Sequence, residues 1–238
     1  MAEINLLRSY PTGKGTRYKR NVTLKKRLEL RKFPKEFFDG SRDEGYGGYH
    51  YDGRWEPVAR DFIKHYYLTQ KSKILDIGCG KGFLLYELTK LLPGINIVGI
   101  EVSQHCIDNA KEEVKANFFL CDAGNMNFKN KEFDLVISIN TIHNLPLEAC
   151  LKAIKDIEKI GKNKYIQVDA WRNNAERDAF RDWQLTGGFY DSDENWFPLG
   201  TSFSIKGWKE FFELAGYTGD YYWTIFEDLK DKQEIEKT

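Results

Sequence analysis

Between a short apolar run, Lys73–Ile77 (KILDI), and a leucine-rich stretch, Phe83–Leu92, the chain reads Gly78-Cys79-Gly80-Lys81-Gly82. A buried strand that ends in alternate glycines and passes at once into a helix is a strong constraint on the fold. Glycine lets the backbone pass tightly beneath a ligand and leaves amide N–H groups free at the helix start. Such a turn belongs at the carboxyl edge of a parallel sheet, where ligands of open α/β sheets bind.

The rest of the chain supplies the sheet. Asn96–Glu101, Asn117–Cys121, Phe133–Ile139 and Lys164–Val168 read as further strands, each a short apolar run bounded by turn residues. Between them lie amphipathic stretches. One is capped by Ser103 and carries Cys106, Ile107, Ala110 and Val114 on one face; another is bracketed by Pro146 and Gly161. Strict alternation implies a doubly wound, mostly parallel α/β sheet of the Rossmann-like kind, covered on both faces. A helix near 204–215 and a strand near 220–226 complete it. A last antiparallel strand pair stays unplaced, with Gln184–Tyr190 one candidate member. The core domain is expected over 71–238, with a substrate-side insertion at 171–203. Residues 1–70 form an extension: a basic arm, an aromatic and glycine-rich run (GYGGYHYDGRW, 45–55) and a helix from Glu56 to Leu68.

The chain has 238 residues, 41% hydrophobic and 30% charged, which excludes a disordered polymer. No apolar run approaches the ~20 residues of a membrane span. The first residues lack a signal-peptide pattern, and Cys79, Cys106, Cys121 and Cys150 are scattered without a CxxC pair. Free thiols in a reducing, cytoplasmic setting are the expectation. Lys plus Arg and Asp plus Glu are both 36, yet residues 1–35 hold eleven basic residues against Glu3 and Glu29. This arm can attract a polyanion or pack on its own body.

The ordering of polar residues at the sheet's carboxyl edge narrows the ligand. The dinucleotide fingerprint GxGxxG requires glycine at 83, where Phe83 stands, which disfavours a nicotinamide-dependent oxidoreductase. Asp76 precedes the first glycine by two residues. Glu101 ends the second strand, where an acid accepts from both hydroxyls of a ribose. Asp122, beside Ala123, follows the third strand and suits an adenine amino group; Asn140 closes the fourth.

Together Asp76-x-Gly78-x-Gly80-x-Gly82, Glu101, Cys121-Asp122-Ala123 and Phe133-Asp134-Leu135-Val136 leading to Asn140 resemble the class I S-adenosylmethionine-dependent methyltransferases. The resemblance implies S-adenosyl-L-methionine as cofactor, with S-adenosyl-L-homocysteine as product. Its cofactor-binding positions are Asp76, Gly78, Cys79, Gly80, Glu101, Val102, Asp122, Ala123 and Asn140. Flanking segments (Asn5-Leu6-Leu7-Arg8-Ser9, Lys19-Arg20-Asn21, the 45–55 run, INTIHNL at 139–145 and AGYTGDYYWTI at 215–225) resemble a little-characterised bacterial group within that family, associated with carbohydrate assembly. Metal-dependent O-methyltransferases carry Asp where this chain has Asn140 and Asn where it has Ala170, so no metal is implied. Amine-directed relatives carry a Pro-Pro-Tyr type turn where this chain reads INTIHNL.

Methyl transfer to a poorly nucleophilic hydroxyl needs a base, and His143, just past the fourth strand, is the candidate; a structural histidine is the alternative. His50 is a weaker candidate, while His65 is read as a helix-surface residue and His105 as flanking a helix. Tyr49 and Arg54 in the aromatic run, which reads as a lid with glycine hinges, and Asp169, Trp171 and Arg172 at the fifth strand's end are candidate substrate contacts, with Tyr190 and Trp196 of the insertion. The expectation is O-methylation of a small-molecule or saccharide acceptor. The alternative is an RNA methyltransferase that uses the basic arm.

Overall fold

The structure is a computed structural model, which describes residues 1–11, 18, 20, 22–186, 188–190 and 196–227. Lys14, Arg17, Lys19 and Asn21 of the basic arm lie outside the described residues, as do the side chains of Phe189, Tyr190, Trp196 and Phe197.

Three helices precede the sheet: α1 (Leu24–Leu30), α2 (Lys35–Asp39) and α3 (Glu56–Tyr66). Then come β1 (Lys73–Ile77), α4 (Phe83–Leu91), β2 (Asn96–Glu101), α5 (Gln104–Asp108), α6 (Glu112–Lys115) and β3 (Phe118–Leu120). β4 (Phe133–Ile139), α7 (Leu147–Ile160), β5 (Gly161–Trp171) and α8 (Asn174–Trp183) follow. A hairpin, β6 (Gly188–Tyr190) and β7 (Trp196–Pro198), leads to β8 (Phe203–Ser204), α9 (Ile205–Ala215) and β9 (Asp220–Thr224).

The strands β3-β2-β1-β4-β5 lie side by side, with β8 paired to the end of β5 and β9 paired along it. Every pairing in this seven-stranded sheet is parallel. The doubly wound α/β reading holds, and one detail changes. The antiparallel pair is β6/β7, a separate two-stranded sheet, while α9 returns the chain so that β9 runs with β5. A helical crossover is what allows parallel neighbours. The segment after Ser103 also differs from one capped helix. It breaks into α5 and α6, and the Ser103 hydroxyl donates to the Phe33 carbonyl at 2.6 Å in place of a cap.

Successive strand residues point to opposite faces, and both faces are covered. Leu75, Ile77, Val136, Ile166 and Val168 pack with α7 and with Trp208 and Phe212 of α9. Ile74, Leu135, Ile137 and Tyr165 pack with Phe62 of α3 and with Leu85 and Leu88 of α4. The Trp208 indole N–H, fully buried, donates to the Asp169 carbonyl at 2.9 Å, which anchors the functional end of β5 on α9. Residues 2–4 extend the sheet edge: Ile4 N–H donates to the Tyr221 carbonyl, and Tyr221 N–H to that of Ala2, both at 3.0 Å.

Candidate functional site

A cavity of about 1380 Å³ opens at the carboxyl edge of the sheet. Single small-molecule sites usually occupy ~300–1,000 Å³, so this one has room for two ligands side by side.

Its floor is the glycine turn. Gly78, Gly80 and Gly82 all have left-handed backbone, with φ of +75°, +56° and +75°. A Cβ at Gly78 would meet Thr141 Oγ1 at 2.1 Å, and one at Gly80 would stand 3.1 Å from the Tyr49 ring. Only glycine therefore leaves this cradle open. Glu101 braces the turn from below. Its Oε2 accepts from Gly80 N–H, and Oε1 from Val102 and Ser103 N–H, each at 2.9 Å. Of about four lone-pair positions on a carboxylate, one remains toward the cavity. Burial raises the Glu101 carboxyl above its ordinary value, against the pull of those three amides.

Asp76 is the unsatisfied member. It is 6% exposed and lines the cavity, yet its carboxylate has no hydrogen-bond or ion-pair partner among the described residues. Burial, then the neighbouring Glu101 charge, pushes it up to about 7. A buried, unpaired carboxyl at the mouth of a glycine cradle suits a cationic ligand group. At the other side, Asp122 Oδ1 accepts from Gly124 N–H at 2.7 Å, leaving Oδ2 free. Val102, 45% exposed, and buried Ala123 flank it as apolar walls for a flat ring. Cys79 lines the same stretch with its thiol raised by burial. Asn140, in left-handed backbone at φ +52°, lends its Oδ1 to the Thr224 hydroxyl at 2.8 Å. The nine cofactor-binding positions expected from the sequence thus come together around one cavity, and the donors and acceptors present fit an adenosyl group with an ammonium-bearing tail.

Beyond Asn140 the lining changes. His143 is 2% exposed; its Nε2 lies 3.3 Å from Asp169 Oδ2, and its Nδ1 is buried without a partner. Gln184 Nε2 donates to the same Asp169 Oδ2. Sequence reasoning missed Gln184, Thr141 and Trp183 as site residues. Their neighbours are set by contacts between distant parts of the chain, for which no local pattern exists.

The N-terminal segment roofs the cavity. Asp39, at the end of α2, accepts from Lys81 Nζ at 2.7 Å and faces His105 Nε2 at 2.7 Å. Lys81 also donates to the Tyr49 carbonyl at 2.9 Å, and the Tyr49 ring lies 4.8 Å from that of Phe83. Tyr49, His50 and Arg54 all reach the cavity wall. Arg54 is taken by Asp52, which it contacts through Nε at 2.6 Å. Trp171 and Arg172 do not line the cavity. Trp171 packs on Phe180 at 5.4 Å, and Arg172 pairs with Glu176 and Glu227 on the outer surface. The residue after β5 points away because Glu176 of α8 draws it outward. His65 bonds Asp220 at 2.9 Å, away from the site, and is half-buried where a surface position was expected. Within the described part of the basic arm Arg20, Arg27 and Arg31 turn onto the protein itself, donating to carbonyls of Gly45, Gln184 and Thr186, while Arg8, Lys25, Lys32 and Lys35 are exposed.

Among the described residues no group of three His, Cys, Asp or Glu side chains could hold a metal ion, and no helix is long and apolar enough to cross a membrane.

Residues 68–216 match the profile of a family described as "Methyltransferase domain". The chain is 29% identical over 110 residues to the ubiquinone biosynthesis O-methyltransferase of Hydrogenovibrio crunogenus, covering 42% of this chain and 45% of that protein. It is 32% identical over 90 residues to the ribosomal RNA small subunit methyltransferase C of Buchnera aphidicola, covering 37% and 25%. The aligned part thus spans less than half the length of these curated relatives. Among solved structures, a chain in the Haloferax volcanii complex of the Trm112 methyltransferase activator with a methyltransferase superposes with a TM-score of 0.50. It is 20% identical and covers 69% of this chain and 73% of that one, a likeness of fold.

Proposed function

Because the chain belongs to the class I S-adenosylmethionine-dependent methyltransferases, we propose that it methylates a hydroxyl oxygen of a small-molecule or saccharide acceptor. The observation that carries the reading is the division of one cavity into an acidic, glycine-floored half and a half built on His143, Asp169 and Gln184.

Bound S-adenosylmethionine supplies a methyl group already activated on a sulfonium. The chain's task is then to bind, to align and to take a proton. Asp76 receives the ammonium, which also restores the charge of its raised carboxyl. Glu101 offers its remaining lone pair to a ribose hydroxyl. That is one direct bond where two were expected, because three amides already occupy it. Asp122 Oδ2 meets the adenine amino group, with Val102 and Ala123 on its faces. Tyr49 closes the roof above Gly80 and keeps water out.

At the acceptor end Asp169 holds His143. A carboxylate 3.3 Å from Nε2 favours the proton on that nitrogen, which leaves the lone pair on Nδ1. That lone pair is the base for the acceptor hydroxyl. Nδ1 is sealed from solvent in the structure, so the acceptor reaches it by displacing the side chains packed over it.

The test is turnover of His143→Ala against a hydroxyl acceptor, with S-adenosylhomocysteine affinity measured in parallel. A positioned base contributes ~10²- to 10⁴-fold, so kcat falls by about a hundredfold or more while cofactor affinity stays within twofold. Full turnover in the variant would remove His143 from the mechanism and return it to a structural role.

A further inference from the structure

The half of the cavity that faces His143 carries a second chemistry, which its roof supplies. Arg20, Arg31 and Arg42 reach it from the N-terminal segment. Arg20 Nη2 donates to the Gly45 carbonyl at 2.9 Å and Nη1 to that of Trp183 at 3.4 Å. Arg31 donates to the carbonyls of Thr186 and Asn144, at 2.6 and 3.3 Å. Arg42 donates to that of Tyr46 at 2.8 Å. Every partner is neutral. Among the described residues no carboxylate forms an ion pair with any of the three. Asp43, whose charge is felt at Arg20, accepts from the Tyr18 hydroxyl at 2.7 Å.

The donors are also under-used. A guanidinium carries five N–H groups; Arg20 and Arg31 use two each and Arg42 one. Arg20 is 8% exposed, and its Nε is buried with no partner at all. Arg20 and Arg42 both sit over the Trp183 ring, at 3.6 and 4.8 Å from its centre. Burial first, then the Arg42 charge, lowers the Arg20 guanidinium to about 9. Buried cations are ordinarily paired, since an uncompensated one is strongly unfavourable. Buried Arg20, with half-buried Arg31 and Arg42 lining the same cavity and forked donors to spare, matches a group of opposite charge.

We propose that this end of the cavity binds a phosphoryl group of the methyl acceptor, held by Arg20, Arg31 and Arg42 while the acceptor hydroxyl lies toward His143. The proposal rests on reading the cavity as cofactor site plus acceptor site. A phosphoryl dianion matches three cations better than a single carboxylate does, and its oxygens accept the paired N–H groups of a guanidinium. The burial of Arg20 favours a terminal group on a small acceptor. Arg20 is too deeply covered to follow a polymer backbone.

The full-length protein with saturating S-adenosylhomocysteine is titrated with inorganic phosphate, pyrophosphate and acetate at constant ionic strength, by calorimetry and thermal shift. Phosphate or pyrophosphate binds one per chain, and acetate at least tenfold more weakly. Arg42→Gln and Arg31→Gln each weaken phosphate binding tenfold or more, with S-adenosylhomocysteine affinity unchanged. Arg42 is half-buried and makes one carbonyl bond, so its variant tests the site without endangering the fold. Absence of saturable phosphate binding overturns the proposal, as does phosphate affinity indifferent to both substitutions. An RNA oligonucleotide bound more tightly than pyrophosphate, through the same arginines, also overturns it in favour of a polymer. If S-adenosylhomocysteine fails to bind, the cofactor reading falls, and the phosphate titration still decides the anion site.

Discussion

Asp76 shows how far one carboxyl can depart from its ordinary behaviour. It sits two residues before Gly78, as the penultimate residue of β1, buried and without a partner among the described residues. Its carboxyl is raised to about 7, by burial first and by Glu101 second. Between the ordinary carboxyl value and about 7, the unfolded chain therefore holds fewer protons than the folded one. Stability falls as pH rises through that window. Asp76→Asn relieves this, and the unliganded protein gains on the order of 2 kcal/mol at pH 8, read by urea denaturation. The same variant loses S-adenosylmethionine affinity, which in the wild type weakens as pH falls below about 7. Equal affinity at pH 6 and pH 8 would refute the placement of the ammonium at Asp76.

At the scale of elements, α2 is the informative one. Five residues cannot hold a helix by themselves. Two things hold α2 in place: an aromatic stack of Phe37 and Phe38 on Tyr46, and the Asp39 carboxylate between Lys81 and His105. Burial pushes Asp39 up, but the bonds to Lys81 and His105 prevail and hold it at about 2. The latch is thus fully formed above the ordinary carboxyl value and is lost as pH falls toward about 2. Since Lys81 belongs to the glycine turn, the latch ties the roof to the cofactor floor. Charge-assisted hydrogen bonds contribute ~1.5–3 kcal/mol. Asp39→Ala is accordingly expected to raise the S-adenosylhomocysteine off-rate about tenfold and to open residues 33–55 to limited proteolysis. Unchanged off-rate and cleavage would show that the aromatic stack suffices. The arm was legible as a charge excess, and the run 45–55 as a flexible aromatic segment. That Asp39 meets Lys81 was not, because 42 residues separate them and neither carries a motif.

Across the whole molecule, the described residues among the first 70 act as a strap. Residues 2–4 pair with β9, Arg20 and Arg27 dock on the end of α8, and 33–55 cross the glycine turn. Leu6, 5% exposed, is part of the same apolar cluster as Phe62 and Tyr165. Leu6→Ala therefore lowers the unfolding free energy by about 2–3 kcal/mol, in one cooperative urea transition that includes the sheet. A separate early transition with the sheet unaffected would mean that the strap unfolds independently.

Local pattern by itself determined the sheet, and the family resemblance carried by its strand-end residues implied the cofactor. β1, β2 and β4 fall where their apolar runs end in turn residues, because burial on both faces leaves a continuous signature. Asp76, the glycines, Glu101 and Asp122 keep their spacing because each sits at the end of a strand whose neighbours are in register. Only the tertiary structure decided the direction of β9, the outward turn of Trp171 and Arg172, and the gathering of Arg20, Arg31 and Arg42 around the cavity that His143 also lines. The arginine cluster depends on partners more than a hundred positions away, Trp183 for Arg20 and Thr186 for Arg31, and β9 on a pairing 55 positions back along β5, contacts whose energies appear only when the folded surfaces meet.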